Sequence, residues 1–173
     1  MDWPTRTIRL SKIVMTAGLA IWTFFVVFGN VTDYGSNWLF VQHVLAMDTI
    51  FPGSTLTWRA ITDPETQSLA YWAIIVVEGL TSLAFLGTTL AMARTLNAGK
   101  VAFQRAKATM AIGVMLAYAL WFVGFMAIGG EWFVMWQSSV WNGQESAFRF
   151  YMTVLAVAVY VFLDNDGEVA AAK

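Results

Sequence analysis

Polar and apolar residues are not interleaved along this chain; they come in blocks. Four apolar runs approach or exceed the ~20 residues that a helix needs to cross a bilayer. They are residues 8–28, 69–93, 108–128 and 148–163, the last being the shortest. Tyr151 and Tyr160 lie near the two ends of the fourth run, where amphipathic rings favour the membrane interface. Helix-end chemistry punctuates the breaks. In "TDPETQ", Asp63 falls at an N-cap, Pro64 at the first helical position and Glu65 in the first turn, so the second helix is predicted to begin there. "NAGK" (97–100) separates the second run from the third, and "VAFQRAKATM" starts the third helix before it enters the bilayer. The pattern predicts an all-α membrane protein: one four-helix transmembrane bundle, a single domain over 1–173.

The connections between runs one and two (30–68) and between runs three and four (129–147) are greasier than solvated loops should be. The stretch "NWLFVQHVLAMDTIF" (37–51) reads as an amphipathic helix too polar to span. Short interfacial helices are therefore expected in both connections. Together they form an aromatic cap carrying Trp38, Phe40, His43 and Trp58 on one side and Trp132, Trp136 and Trp141 on the other. Such a cap can lie at headgroup depth or close over its own bundle. It can also be an aromatic binding surface, and both readings stay open. The two halves of the chain echo each other. "LAIWTFFVVF" (19–28) aligns with "YALWFVGFMA" (118–127), placing Trp22 on Trp121, and "GSNWLFV" (35–41) then matches "GGEWFVM" (129–135). That suggests two parallel helix–loop–helix repeats.

Composition agrees with the pattern: 58% of residues are hydrophobic and 12% charged, against about 25% charged in a soluble domain. The few cations are one-sided. Of ten Lys and Arg, eight lie in the N-terminal arm (Arg6, Arg9, Lys12), the middle connection (Arg94, Lys100, Arg105, Lys107) and the tail (Lys173). Only Arg59 and Arg149 fall on the other side, so both termini are expected in the cytoplasm and the aromatic cap outside. The first run outlasts the ~7–15-residue core of a signal peptide, and no small-x-small site follows "FFVVFGN". The tail "DNDGEVAAAK" (164–173) is expected to fray. There is no cysteine, which excludes disulfides, thiolate metal sites and cysteine nucleophiles. No cofactor is expected and no nucleic-acid partner.

Glu78 is the one acid well inside an apolar run, ~13 Å from its start at 1.5 Å per residue and so near the bilayer midplane. A charge there is costly and usually faces the bundle interior, so Glu78 is expected to face inward and to be largely protonated. Thr81, Ser82, Thr88 and Thr89 follow at helical spacing and make a polar stripe. Two readings stand: a proton, cation or polar-ligand site built on Glu78, Thr81 and Ser82, or a protonated acid bonded to a neighbouring helix. His43 shares a helix face with Met47. No second histidine exists, so a hydrogen-bonded interfacial role is expected and no metal. Arg59 is expected to pair with Asp33, Asp48 or Asp63, or else to hold a lipid phosphate. Small-x-x-x-small pairs, Gly113/Ala117 among them, allow close helix approach. No catalytic motif or phosphate loop occurs, so no enzyme activity is expected.

The four-helix layout with "FGNVTDYGSNWLFVQHVLAMDT", "LTWRAI" and "EWFVMWQSSVWNGQ" resembles a bacterial domain-of-unknown-function family of small integral membrane proteins, over nearly the whole chain. That resemblance implies the class and a bacterial inner-membrane location, and no mechanism. The layout is also similar to claudin-type tetraspans, without their paired loop cysteines. The first functional expectation is a non-enzymatic accessory subunit. It sits among membrane lipids and docks through its cap and helix faces onto its own copies or a larger membrane complex. The alternatives are a proton or small-solute carrier or pore using Glu78 and, third, lipid or quinone binding.

Overall fold

The apolar blocks fold into helices that outrun the hydrocarbon core at both ends. The computed structural model describes residues 1–167. Helix α1 (Trp3–Thr32) is 30 residues long. It starts earlier than expected because Asp2 caps it, accepting from the Thr5 amide, and a proline stands in its first turn. It also runs past the end of its apolar block. At Asp33 the chain turns directly into α2 (Tyr34–Ala46), so much of the expected first connection is helical. Helix α3 (Pro64–Arg94) begins where its cap signal placed it, with the Asp63 carboxylate accepting from the Thr66 amide at 2.8 Å.

The third span is segmented. It comprises α4 (Lys100–Ala108), α5 (Met110–Ala117) and a π-helical stretch, Tyr118–Trp132. Its wide winding is still visible at the exit, where the Phe133 amide donates to the Ile128 carbonyl five residues back at 3.0 Å. Helix α6 (Gln144–Phe162) completes the bundle. Among the described residues, four helices are long and apolar enough to cross a membrane: α1, α3, the continuous Lys100–Trp132 span, and α6.

The spans form a ring in chain order: α1 packs along α3, α3 on α5, the third span on α6, and α6 back on α1. The core contains Leu19, Phe85, Met92, Phe103, Met110, Trp121, Val154 and Val161. Trp22 and Trp121, the pair superposed by the internal repeat, stack on the Phe150 ring at 4.2 and 4.7 Å between centroids. The outer segments of the two halves differ: the first contains the 13-residue α2, the second a single 3₁₀ turn at Met135–Gln137.

The end of the bundle away from the cap corrects the expectation of a frayed tail. Asp166 is fully buried, although Asp164 and Asn165 before it are exposed; the rest of the tail, 168–173, lies outside the described residues. Asp166 bonds Lys12 at 2.6 Å and Lys107 at 2.5 Å, and both lysines are buried too. Arg9 reaches the Asp166 carbonyl at 2.8 Å and the Leu96 and Ala98 carbonyls at 2.9 and 2.6 Å. Part of what reads in the sequence as a topogenic charge bias is therefore a buried fastening between α1, the α3–α4 connection, α4 and the chain after α6.

Candidate functional site

Glu78 sits about midway along α3, where desolvation of a carboxyl is most expensive. It is buried, and its Oε2 accepts a 2.6 Å hydrogen bond from the Asn30 amide nitrogen, on the part of α1 that extends beyond the apolar block. Its other oxygen, Oε1, takes no hydrogen bond from a described residue. The Asn30 carbonyl accepts from the Tyr71 hydroxyl at 3.2 Å, which fixes that end of α1 to α3.

The carboxyl faces a cavity of about 250 Å³. Every span contributes to it: Val26 and Asn30 from α1, Tyr71, Ile74 and Glu78 from α3, Trp121 and Phe125 from the π-helical stretch, and Ser146, Ala147 and Phe150 from α6. Helix α2 covers it with Asn37, Phe40 and Val41. The chamber exists because the ring divides at this end. The α1–α3 pair and the pair formed by α6 with the π-helical stretch stand on either side of it, bridged by the Trp22–Phe150–Trp121 stack, and α2, packed on α1 and α3, closes over it.

Thr81 and Ser82 are buried but turn away from the chamber. Thr81 donates to the Val77 carbonyl at 2.7 Å, and Ser82 reaches across to the Ala20 carbonyl of α1 at 3.2 Å. Thr88 donates to the Ala84 carbonyl and meets the Thr109 hydroxyl at 2.9 Å. The polar stripe is therefore satisfied by α3's own carbonyls, by α1 and by Thr109 of the third span, and none of these three residues lines the Glu78 cavity.

The cap closes on itself. Trp38 packs with Tyr34 and Tyr71 over the outer half of α3. Phe40 stacks on Phe125 at 6.1 Å, across the boundary of the chamber. His43 lies flat on Trp141 at 4.7 Å and bonds Asp48 through Nδ1 at 2.8 Å. The two connections interlock: Thr49 meets Ser138 at 2.9 Å, the Phe51 amide donates to Gln137 at 3.1 Å, and Met47, Phe133 and Val134 share one buried cluster. That cluster holds Met47 and Val134 at φ 53° and 46°, a left-handed backbone costly for a β-branched valine. Trp58, Trp132 and Trp136 remain exposed at the rim, Trp58 edge-on to Trp132 and Trp136 edge-on to Phe51.

Arg59 corrects the expected ion pair. It makes no salt bridge with Asp33, Asp48 or Asp63. Its guanidinium lies over Trp132 at 4.6 Å and Trp58 at 5.3 Å and donates to the Trp132 carbonyl at 3.1 Å. Among the described residues no group of three or more His, Cys, Asp or Glu is gathered as for a metal ion.

Sequence reasoning missed Asn30, Trp121, Phe125 and Phe150 as chamber residues. Asn30 had a signal, since it is a lone amide directly after "FFVVFG". The aromatic walls had none beyond the repeat that singled out Trp121.

The chain belongs to the family of predicted small integral membrane proteins (DUF2165), whose sequence model matches residues 8–164. No curated protein and no solved structure matches the chain.

Proposed function

We propose that this member of the family is a membrane-embedded binding protein that holds a small hydrogen-bonding molecule in the capped chamber, against Glu78 and Asn30. It would act in a bacterial inner membrane, with its termini in the cytoplasm and its cap outside. One observation carries the reading: a buried acid with one oxygen held by Asn30 and the other facing a roofed cavity to which all four spans contribute. A carboxyl needed only to join α1 to α3 would not require that space. Binding is favoured over conduction, because the hydroxyls beyond Glu78 are committed to backbone carbonyls and line no path from the chamber.

Native mass spectrometry of the full chain released from mild detergent tests this. The expected result is a bound small molecule in the wild type, lost in Glu78→Gln and in Ser146→Trp, which fills the chamber from its rim. A wild type that carries nothing, with Glu78 freely labelled by a hydrophobic carbodiimide, would sink the reading.

The exposed rim of Phe51, Trp58, Trp132, Trp136 and Val140 supports a second reading, docking as an accessory subunit onto its own copies or a larger membrane complex. Size measurement in nanodiscs decides it. A single monomeric species with no co-purifying protein removes its support.

A further inference from the structure

The chamber has a neighbour. Phe40, Val41, Ile74 and Phe125 line both it and a second cavity of about 290 Å³. The second cavity lies between α2, α3 and the π-helical stretch, and every residue lining it is apolar or glycine. Ala73 and Ile128 stand at its lip; both are exposed in the bare protein and both belong to spans, so in a bilayer they meet acyl chains. Along α3, Ala73 is only ~8 Å nearer the cap than Glu78. Ligand sites typically occupy ~300–1,000 Å³. Each cavity alone falls at or below that range, and the pair with its shared walls reaches into it.

Charge narrows the occupant. Among the described residues, Glu78 is the only charged side chain in either lining. A phosphate head would face a carboxyl with no cation to balance it, at a depth where an unpaired charge is very costly. A hydroxyl head can use the open Oε1 of Glu78 and leave its chain in the apolar groove.

We infer that the two cavities form one bipartite site for a single-chain amphiphile with an uncharged, hydroxyl-bearing head. The head sits on Glu78 beside Asn30, and the chain passes the Phe40–Phe125 stack into the groove between α3 and the π-helical stretch. The inference rests on the chamber being a binding site, and its test separates the two ideas.

The full-length protein in phosphatidylcholine nanodiscs is exposed to a long-chain alcohol bearing a diazirine, and labelled peptides are mapped by mass spectrometry. In parallel, protection of Glu78 from a hydrophobic carbodiimide reports the head. Label is expected at 70–74 and 120–129, competed by the unlabelled alcohol and not by its phosphate ester. Gly124→Trp, or Ala73→Trp on the opposite wall, should fill the groove and cut long-chain labelling about tenfold. Either variant should leave protection of Glu78 by a short alcohol unchanged, which also shows that the chamber is folded. Glu78→Gln should weaken long-chain capture about tenfold, the loss of one hydrogen bond to a buried acid. Label spread along all lipid-facing surfaces, indifferent to both tryptophan variants, overturns the bipartite site while short-alcohol protection preserves the chamber. Equal competition by the phosphate ester overturns the head assignment. Absence of protection by either alcohol sinks both ideas.

Discussion

At the scale of the residue, the lone basic side chain of the long outer connection shows how a charge is used where water is scarce. Arg59 has three acids within reach in sequence and pairs with none of them. It spends its charge on two indole faces and a carbonyl instead. The aromatic contacts keep the guanidinium's faces dry, which an exposed ion pair worth ~0–1 kcal/mol does not do, and Nη1 keeps the Trp132 carbonyl while Nε is buried without a hydrogen-bond partner among the described residues. A cation over an indole contributes ~0.5–2 kcal/mol depending on desolvation. Because Trp132 belongs to the other connection, that energy latches the two halves of the cap. Arg59→Gln is therefore expected to speed chymotryptic cleavage after Trp58, with Arg59→Lys intermediate. Replacing Asp33, Asp48 and Asp63 by asparagine should leave the cleavage rate unchanged. A slower or unaltered rate in Arg59→Gln, or faster cleavage in the asparagine variants, would restore the ion-pair account.

At the scale of the element, α3 and α5 approach so closely that one position tolerates no side chain. A Cβ added at Gly113 would lie 2.6 Å from the Phe85 ring. Phe85 is itself fully buried and has no room to retreat. Gly113→Ala should therefore cost about 1–3 kcal/mol as overpacking, and the paired change Gly113→Ala with Phe85→Leu should recover part of it. Thermal unfolding in detergent measures both, and a neutral single variant would show that the helices can part. Gly87, equally suggestive in its small-x-x-x-small pattern, has open space beside it. This contrast marks what was legible in the sequence. Spans, the Asp63–Pro64 start of α3 and the lone buried acid follow from local pattern, because hydropathy and capping act over a few residues. Which glycine meets a neighbour, how far α1 extends and where the π-helical stretch begins depend on contacts between distant segments. Asn30 and Glu78 are 48 residues apart. Nothing local says that α1 should continue past its apolar block to deliver that amide. Thr81 and Ser82 show the converse: their spacing suggested a lined path, and backbone acceptors consumed them.

At the scale of the whole molecule, the two ends of the bundle are built on opposite terms. The cap end is held by aromatic stacking and leaves a chamber. The other end is fastened by the buried carboxylate of Asp166 between two buried lysines, with Gln104 on its second oxygen at 2.9 Å. A ring open at one end needs such a fastening at the other if the helix pairs are to stay in register. Burial pushes the Asp166 carboxyl up, but the hydrogen bonds and charges of Lys107 and Lys12 outweigh it and hold the group below its usual range. Its contribution to stability is therefore complete above the unfolded value of about 3.9 and disappears only as pH falls through the lower folded value. Removing the carboxylate strands two buried lysines, so Asp166→Asn should cost about 3–5 kcal/mol at neutral pH. The difference in unfolding free energy between wild type and Asp166→Asn should be flat from pH 7 to 5 and shrink only below about pH 4. Truncation after Leu163 should reproduce the loss, because it removes the same carboxylate. A difference that is already falling at pH 6, or a truncated chain as stable as the wild type, would mean that the fastening is not what holds this end together. The chamber's own readout separates local from global effects. If the ring is one mechanical unit, Asp166→Asn should also loosen the cap end and raise carbodiimide labelling of Glu78, although the two carboxyls lie at different levels of the bundle. Unchanged labelling in a measurably destabilised variant would show that the α1–α3 and third-span–α6 pairs hold the chamber independently of the fastening at the other end.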